Sequence, residues 1–284
     1  MKSHAFALLV PSILAWTAAA ELTFSATAVH AGKQVDTSGL EFLPIPPRSH
    51  HHRNSSSPLS RSRPRPGKRA AVSYSDNWCG VSQHTTAANP ITGVSGVFST
   101  PSLTIRPSES IPQFAAAWIG IDGASCQNSL LQAGTSTVVN SNGGQSASAW
   151  WEWVPNASYS ISGFPVKPGD WIDVNITTSS PTNAKIVMTN YNRDYSLTLV
   201  LNNGPELCRL DADWIIEDFD DADGQVAFPR FDDIWFEDCV ATTAKGTNIG
   251  IDGAAMIYLG HDTASATCRA EQYDNENFYC YSQN

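Results

Sequence analysis

The sequence is short of the residues from which most catalytic centres are built. No Cys-x-x-Cys pair occurs, so a zinc site has no starting point. There is no His-Glu-x-x-His, no Gly-x-Ser-x-Gly, and no Asp-Thr-Gly or Asp-Ser-Gly. Zincins, nucleophile-elbow hydrolases and two-Asp sites therefore lack their signatures. Beyond residue 69 the histidines are His84 and His261, and a Ser-His-Asp set would have to assemble from distant parts of the chain. The acidic run Asp218–Gly224 lacks the spacing and closing Glu of a calcium loop. No metal or cofactor is expected. Cations are also scarce where the fold should be. From residue 70 onward eight Lys+Arg face 24 Asp+Glu, a net charge of −16, which repels nucleic acid and anionic membranes. Acid would relieve that self-repulsion. No stretch carries a sustained helical period with caps, and no apolar run after the N-terminus is long enough to cross a bilayer.

The N-terminal quarter differs in character. Residues 1–20 read as a signal peptide: Lys2 and His4, an apolar run broken by Pro11, then Ala18-Ala19-Ala20. Residues 21–69 read as a pro-region. From Leu43 to Arg69 the text is rich in Pro, Ser, His and Arg, a composition that cannot bury enough apolar surface to offset its ordering entropy. It ends on the dibasic pair Lys68-Arg69, which marks a processing site after Arg69; the plainer alternative is a disordered linker. Residues 1–69 carry nine cations and three acids, so the pro-region is a candidate inhibitor that masks the acidic domain. The product should be secreted, extracellular and monomeric. All six cysteines fall after the pro-region, at 79, 126, 208, 239, 268 and 280. In an exported chain they allow up to three disulfides and 15 pairings. Asn156 and Asn175 head glycosylation sequons, as does Asn54 within the pro-region.

Residues 70–284 are expected to form one all-β domain. Short runs of β-branched and aromatic residues recur between Gly, Pro, Asn and Ser, as in a sandwich or barrel. Gly-Ile-Asp-Gly-Ala appears at 120–124 and at 250–254, too short for a repeat and read as two similar turns. In Asp211–Asp221, alternation puts Ile215, Glu217 and Phe219 on one strand face. A carboxyl in apolar company loses water, which favours its protonated form and suits proton transfer in acid. The bland alternative is a half-buried strand with one salt-bridged or solvated Glu.

Carboxylates beside tryptophans are what the chain has in supply. In Ser146–Val154, Ser148, Trp150 and Glu152 share one face while Trp151 and Trp153 share the other. One face would pack the core and the other line a groove for an extended polymer, peptide or glycan. Glu152 with Glu217 would fit a glycosidase pair, and the tryptophans alone would fit a lectin. Gln132 follows Leu130 on its strand face; a carboxamide beside a carboxylate can hold a water or an oxyanion without titrating in acid.

Taken together these segments resemble the fungal glutamic peptidases, the eqolisin family. The resembling text is Asn77-Trp78, AWIGIDG at 117–123, CQNSLLQAG at 126–134, AWWEW at 149–153, LCR at 207–209 and WIIEDF at 214–219. The resemblance implies a concanavalin-like sandwich of two large antiparallel sheets. It implies an acid endopeptidase with a catalytic dyad at Gln132 and Glu217, polypeptide substrates, and synthesis as a pre-pro-protein. Trp78, Trp118, Asp122, Trp150 and Glu152 fall on positions that line or support the family's groove. Cys126 and Cys208 fall where the family has a disulfide. Two positions depart from the pattern: Ser148 stands where an Asp is expected, and Cys79 where a Gly is expected. The new cysteine suggests a Cys79–Cys239 bond, with Cys268–Cys280 closing a C-terminal loop.

Overall fold

The computed structural model describes residues 21–45, 71–221 and 224–283. The strands begin with β1 (Thr23–His30), β2 (Lys33–Val35), β3 (Glu41–Ile45), β4 (Ala71–Ser75), β5 (Trp78–His84), β6 (Ile91–Ser99), β7 (Leu103–Thr104) and β8 (Gln113–Asp122). There follow β9 (Leu130–Val139), β10 (Gln145–Val154), β11 (Ser158–Ser162), β12 (Trp171–Ser180), β13 (Asn183–Asn190), β14 (Tyr195–Asn202) and β15 (Asp211–Glu217). The last are β16 (Asp220–Asp221), β17 (Gly224–Gln225), β18 (Arg230–Phe231), β19 (Ile234–Thr243), β20 (Asn248–Ile249), β21 (Ala255–Leu259), β22 (Cys268–Gln272) and β23 (Phe278–Ser282). The one helical turn among the described residues is a 3₁₀ turn at Tyr191–Arg193.

Two long ladders result. The first runs β4-β21-β5-β15-β8-β9-β10-β11-β3. The second runs β22-β23-β19-β6-β12-β13-β14-β1-β2. A single bridge, Leu259 to Cys268, joins them. All pairs are antiparallel except β4 with β21.

The residues explain why the two sheets differ. Strands β12 and β14 of the second sheet alternate: Ile172, Val174 and Ile176 and Leu197, Leu199 and Leu201 are buried, while Asp173, Asn175, Thr198 and the exposed Val200 lie between them. Such strands bury one face and leave the other in solvent. Strands β8, β9, β10 and β15 of the first sheet are apolar on both faces. Ile119, Ile121, Trp151, Trp153, Trp214 and Ile216 enter the core between the sheets. Trp118, Leu130, Trp150, Ile215 and Phe219 form a second cluster with Trp78. That second cluster marks the outer face of the first sheet, and the candidate site lies there.

Two expectations are corrected. The stretch before the fold is not disordered throughout: residues 21–45 form β1, β2 and β3, which extend both ladders. The remaining pro-region, with Lys68, Arg69 and Asn54, and the signal peptide lie outside the described residues. The disulfides are Cys126–Cys208, where the resemblance put it, and Cys79–Cys268, while Cys239 and Cys280 are buried thiols. The Cys79, Cys268 and Cys280 sulfurs all lie within 4.8 Å of one another. Three sulfurs in one buried cluster leave the partner choice to local geometry, which spacing along the chain does not encode.

Candidate active site

Strand register brings Glu217 and Gln132 to the same face. On β8, Ala116, Trp118, Gly120 and Asp122 alternate onto one side. Glu217 stands level with Ala116 and Gln132 with Gly120. Trp118 lies between them in register, level with Ile215 on one side and Gly134 on the other. Its indole reaches over Gly120, where an added Cβ would sit 3.0 Å from Cζ3, and at Gly134 an added Cβ would sit 2.6 Å from the Trp118 Cβ. Two glycines thus clear the ground on which this tryptophan lies.

Glu217 is buried, and three N–H groups converge on it. Trp118 Nε1 donates to Oε2 at 2.8 Å. Trp78 Nε1 and Asn77 Nδ2 both donate to Oε1 at 3.2 Å. Asn77 is aimed by Ser75, whose hydroxyl donates to the Asn77 Oδ1 at 3.1 Å and accepts the Trp78 backbone N–H at 3.0 Å. Holding the amide oxygen leaves the amide nitrogen for the carboxylate. The two indoles meet edge to face at 4.9 Å. Trp78 and Trp118 therefore pack and donate at once. Asn77 and Ser75 were not singled out as site residues from the sequence. Replacing Trp118 with Phe removes a hydrogen bond to the Glu217 carboxyl while keeping the ring; we expect roughly a tenfold loss of kcat, read from steady-state peptide hydrolysis. Unchanged kcat would show that the contact only packs.

Gln132 belongs to a second polar row. Asp213, Gly120, Gln132 and Glu152 stand level across β15, β8, β9 and β10. Gln132 Nε2 donates to Glu152 Oε2 at 2.9 Å, and its Oε1 has no hydrogen-bond partner among the described residues. One amide N–H remains beyond the bond to Glu152. No hydrogen bond joins Gln132 to Glu217 directly. Trp150 stands next to Gly134 in the row of Trp118. Ser148 is exposed and pairs with Ser136. Asn175 is exposed and Asn156 half-buried in a turn.

The third polar group closes one end of this face. Asp122, at φ 71°, accepts the backbone N–H groups of Arg209 and Leu210 at 2.8 Å each, so it ties the β8 turn to the start of β15 rather than to its own backbone. Asp211 accepts the Ser125 N–H at 2.7 Å and hydroxyl at 2.8 Å, and meets His84 Nδ1 at 2.8 Å. A serine, a histidine and an aspartate do assemble here. The serine hydroxyl, however, bonds the carboxylate, and its nearest imidazole nitrogen is the Nδ1 already engaged by Asp211, at 3.5 Å. That is not a nucleophile-base-orienter arrangement. Among the described residues, two groups of side chains come close enough to hold an ion, Cys79/Cys268/Cys280 and Asp122/Cys126/Cys208. Each contains a disulfide, whose sulfurs are bonded to each other and are poor metal ligands.

These carboxyls make stability depend on pH. Burial pushes Asp122 from 3.8 up to about 6. Burial, with Asp211 nearby, pushes Asp213 well above the usual range. A carboxyl raised on folding stabilises below its unfolded value and loses that contribution as pH rises through its folded value. For Asp122 alone the difference is on the order of 3 kcal/mol. The Asp211 hydrogen bond raises His84, whose stabilisation is likewise lost as pH climbs past its folded value. Opposing these, and despite burial, Asp211 is held low by His84 and Ser125, and Asp170 by Arg193; both destabilise only below their unfolded value of 3.8. Melting temperature should peak at about pH 4 and fall by several degrees toward neutrality, with Asp213→Asn flattening the fall. A melting temperature that rises from acid to neutral would contradict this.

Comparison with known proteins places the fold first. A crystal structure of scytalido-glutamic peptidase with a peptide-based transition-state analogue matches with a TM-score of 0.63 at 24% identity, over 73% of this chain and 98% of that one. Aspergilloglutamic peptidase from Aspergillus niger matches with a TM-score of 0.55 at 28% identity, over 60% and 99% of the chains. The architecture is thus the two-sheet sandwich of the glutamic peptidases. The peptidase A4 family model matches residues 76–281, and the chain belongs to that family, the eqolisins. It is a glutamic-type endopeptidase. It is 30% identical over 212 residues to aspergillopepsin-2 of Aspergillus niger, covering 68% of this chain and 73% of that protein. It is 33% identical over 174 residues to scytalidopepsin B of Scytalidium lignicola, covering 57% and 65%.

Proposed function

We propose that the chain is a secreted acid endopeptidase, made as a pre-pro-protein, in which Glu217 and Gln132 hydrolyse peptide bonds through one activated water. The observation that carries this reading is the shared face: a glutamate gripped by three N–H donors and a carboxamide anchored by Glu152 flank the same tryptophan. Glu217 takes a proton from the water as its oxygen attacks the scissile carbonyl. The second Gln132 N–H donates to the tetrahedral oxyanion. The proton on Glu217 then passes to the departing amine as the C–N bond breaks. No covalent intermediate forms and no metal is needed. Trp78 and Trp118 hold Glu217, Glu152 holds Gln132, and Trp150 walls the substrate's path. Asp122 fixes the end of the face.

A glycosidase pairing of Glu152 with Glu217 is disfavoured by the tie between Glu152 and Gln132. The outcome that decides is digestion of a denatured protein in acid with pepstatin present. Peptide products support the reading; none, with cleavage of an oligosaccharide instead, would replace it. The cut after Arg69 releases the body at Ala70, and the basic pro-region restrains the acidic domain beforehand. Cleaving the full-length chain after Arg69 should raise its activity, and no rise on cleavage would remove that role.

A further inference from the structure

The face used for catalysis leaves the opposite flank of the sandwich unaccounted for, and there the N-terminal strands do something a leader peptide need not do. β1 pairs with the edge strand β14 over eight consecutive residues, Thr23 opposite Asn202 through His30 opposite Tyr195. β3 pairs with β11, the other sheet's edge, over five residues, Glu41 opposite Ser162 through Ile45 opposite Ser158. One segment therefore supplies the outer strand to both sheets on the same flank.

Its sequence suits the task. In TFSATAVH, Phe24, Ala26 and Ala28 alternate inward while Thr23, Ser25 and Thr27 face solvent. Phe24 is the link. It packs edge-on against Phe42 of β3 at 4.9 Å, Trp151 of β10 at 5.1 Å and Tyr159 of β11 at 5.5 Å. Trp151 and Tyr159 are themselves stacked at 4.8 Å. So a residue hydrogen-bonded into the second sheet inserts its ring among aromatics of the first. The body is shaped to receive it: Gly163, at φ +89°, has the Gly39 carbonyl oxygen 2.5 Å from where a Cβ would sit. Without this segment, β14 and β11 would present unpaired edges, which folded proteins normally cover. The segment lies outside the matched family region, which begins at residue 76.

We propose that residues 21–45 are a clasp that the enzyme keeps: a strand partner for both sheet edges that stays bound without a covalent link after the cut at Arg69. The clause about the cut rests on the functional reading above; the clasp itself does not.

The test has two arms. In the first, acid-activated enzyme is passed through gel filtration in native buffer and its fractions are weighed by intact mass spectrometry. The clasp peptide should co-elute with the 70–284 body in equal amount and separate only in denaturant. In the second, Phe24→Ala and Thr27→Pro are made in the full-length chain; each should lower the melting temperature by about 4–8 °C, and Ser25→Ala should not. Loss of the peptide with no change in the body's melting temperature overturns the proposal. So do Phe24→Ala and Thr27→Pro variants that melt with wild type. If no cut occurs, the functional reading of the dibasic site fails while the melting arm still decides the clasp.

Discussion

Glu217→Gln should cost roughly 10²–10⁴-fold in kcat with little change in KM. The substitution keeps size and shape, so the loss reports chemistry. A carboxamide cannot take the proton from water, nor return one to the leaving nitrogen. The site itself sharpens the expectation. Glu217 is met by Asn77, Trp78 and Trp118, all donors. A Gln side chain would turn one NH₂ toward at least one of them, leaving a donor facing a donor. Some loss of stability should accompany the loss of rate, so near-ultraviolet circular dichroism and a melting curve belong beside the kinetics. A folded variant retaining near-normal kcat would show that the base lies elsewhere.

Gln132→Ala should cost about 3 kcal/mol or more in the activation barrier, roughly 10²–10³-fold in kcat. The proposed role uses the second amide N–H. One N–H is committed to Glu152 at 2.9 Å, which fixes the plane of the group and the direction of the other N–H. Truncation removes the proposed oxyanion donor and leaves Glu152 without this partner. Because the effect belongs to the transition state, KM should move far less than kcat. Equal changes in both would mean that Gln132 positions substrate and does not meet developing charge.

Much of this was legible in the sequence for a simple reason: strand side chains repeat every two residues. That period placed Ile215, Glu217 and Phe219 together and separated Trp150 and Glu152 from Trp151 and Trp153, as the two apolar clusters confirm. Period two does not give register, however. Nothing local says that Asp213 stands level with Gln132 and Glu152, although its spacing of four from Glu217 put it on the same face. Asn77 is adjacent to Trp78, but its contact with Glu217 spans 140 residues. The indole donors were visible only as bulk. At the N-terminus the alternation of Phe24, Ala26 and Ala28 was present, yet the Pro-, Ser- and Arg-rich text after it dominated the composition. The disulfide choice among Cys79, Cys268 and Cys280 depends on ångström-scale placement that spacing does not carry.

The account stands on Glu217 and Gln132 acting as one unit on one water. A double-mutant cycle measures that unity: kcat for wild type, Glu217→Gln, Gln132→Ala and the double variant, at acid pH on one peptide. If the two serve the same step, the double variant should be scarcely slower than Glu217→Gln alone, since an oxyanion donor has little left to stabilise once the base is gone. Losses that multiply in full would mean the two residues work independently, and the shared-water mechanism would be wrong.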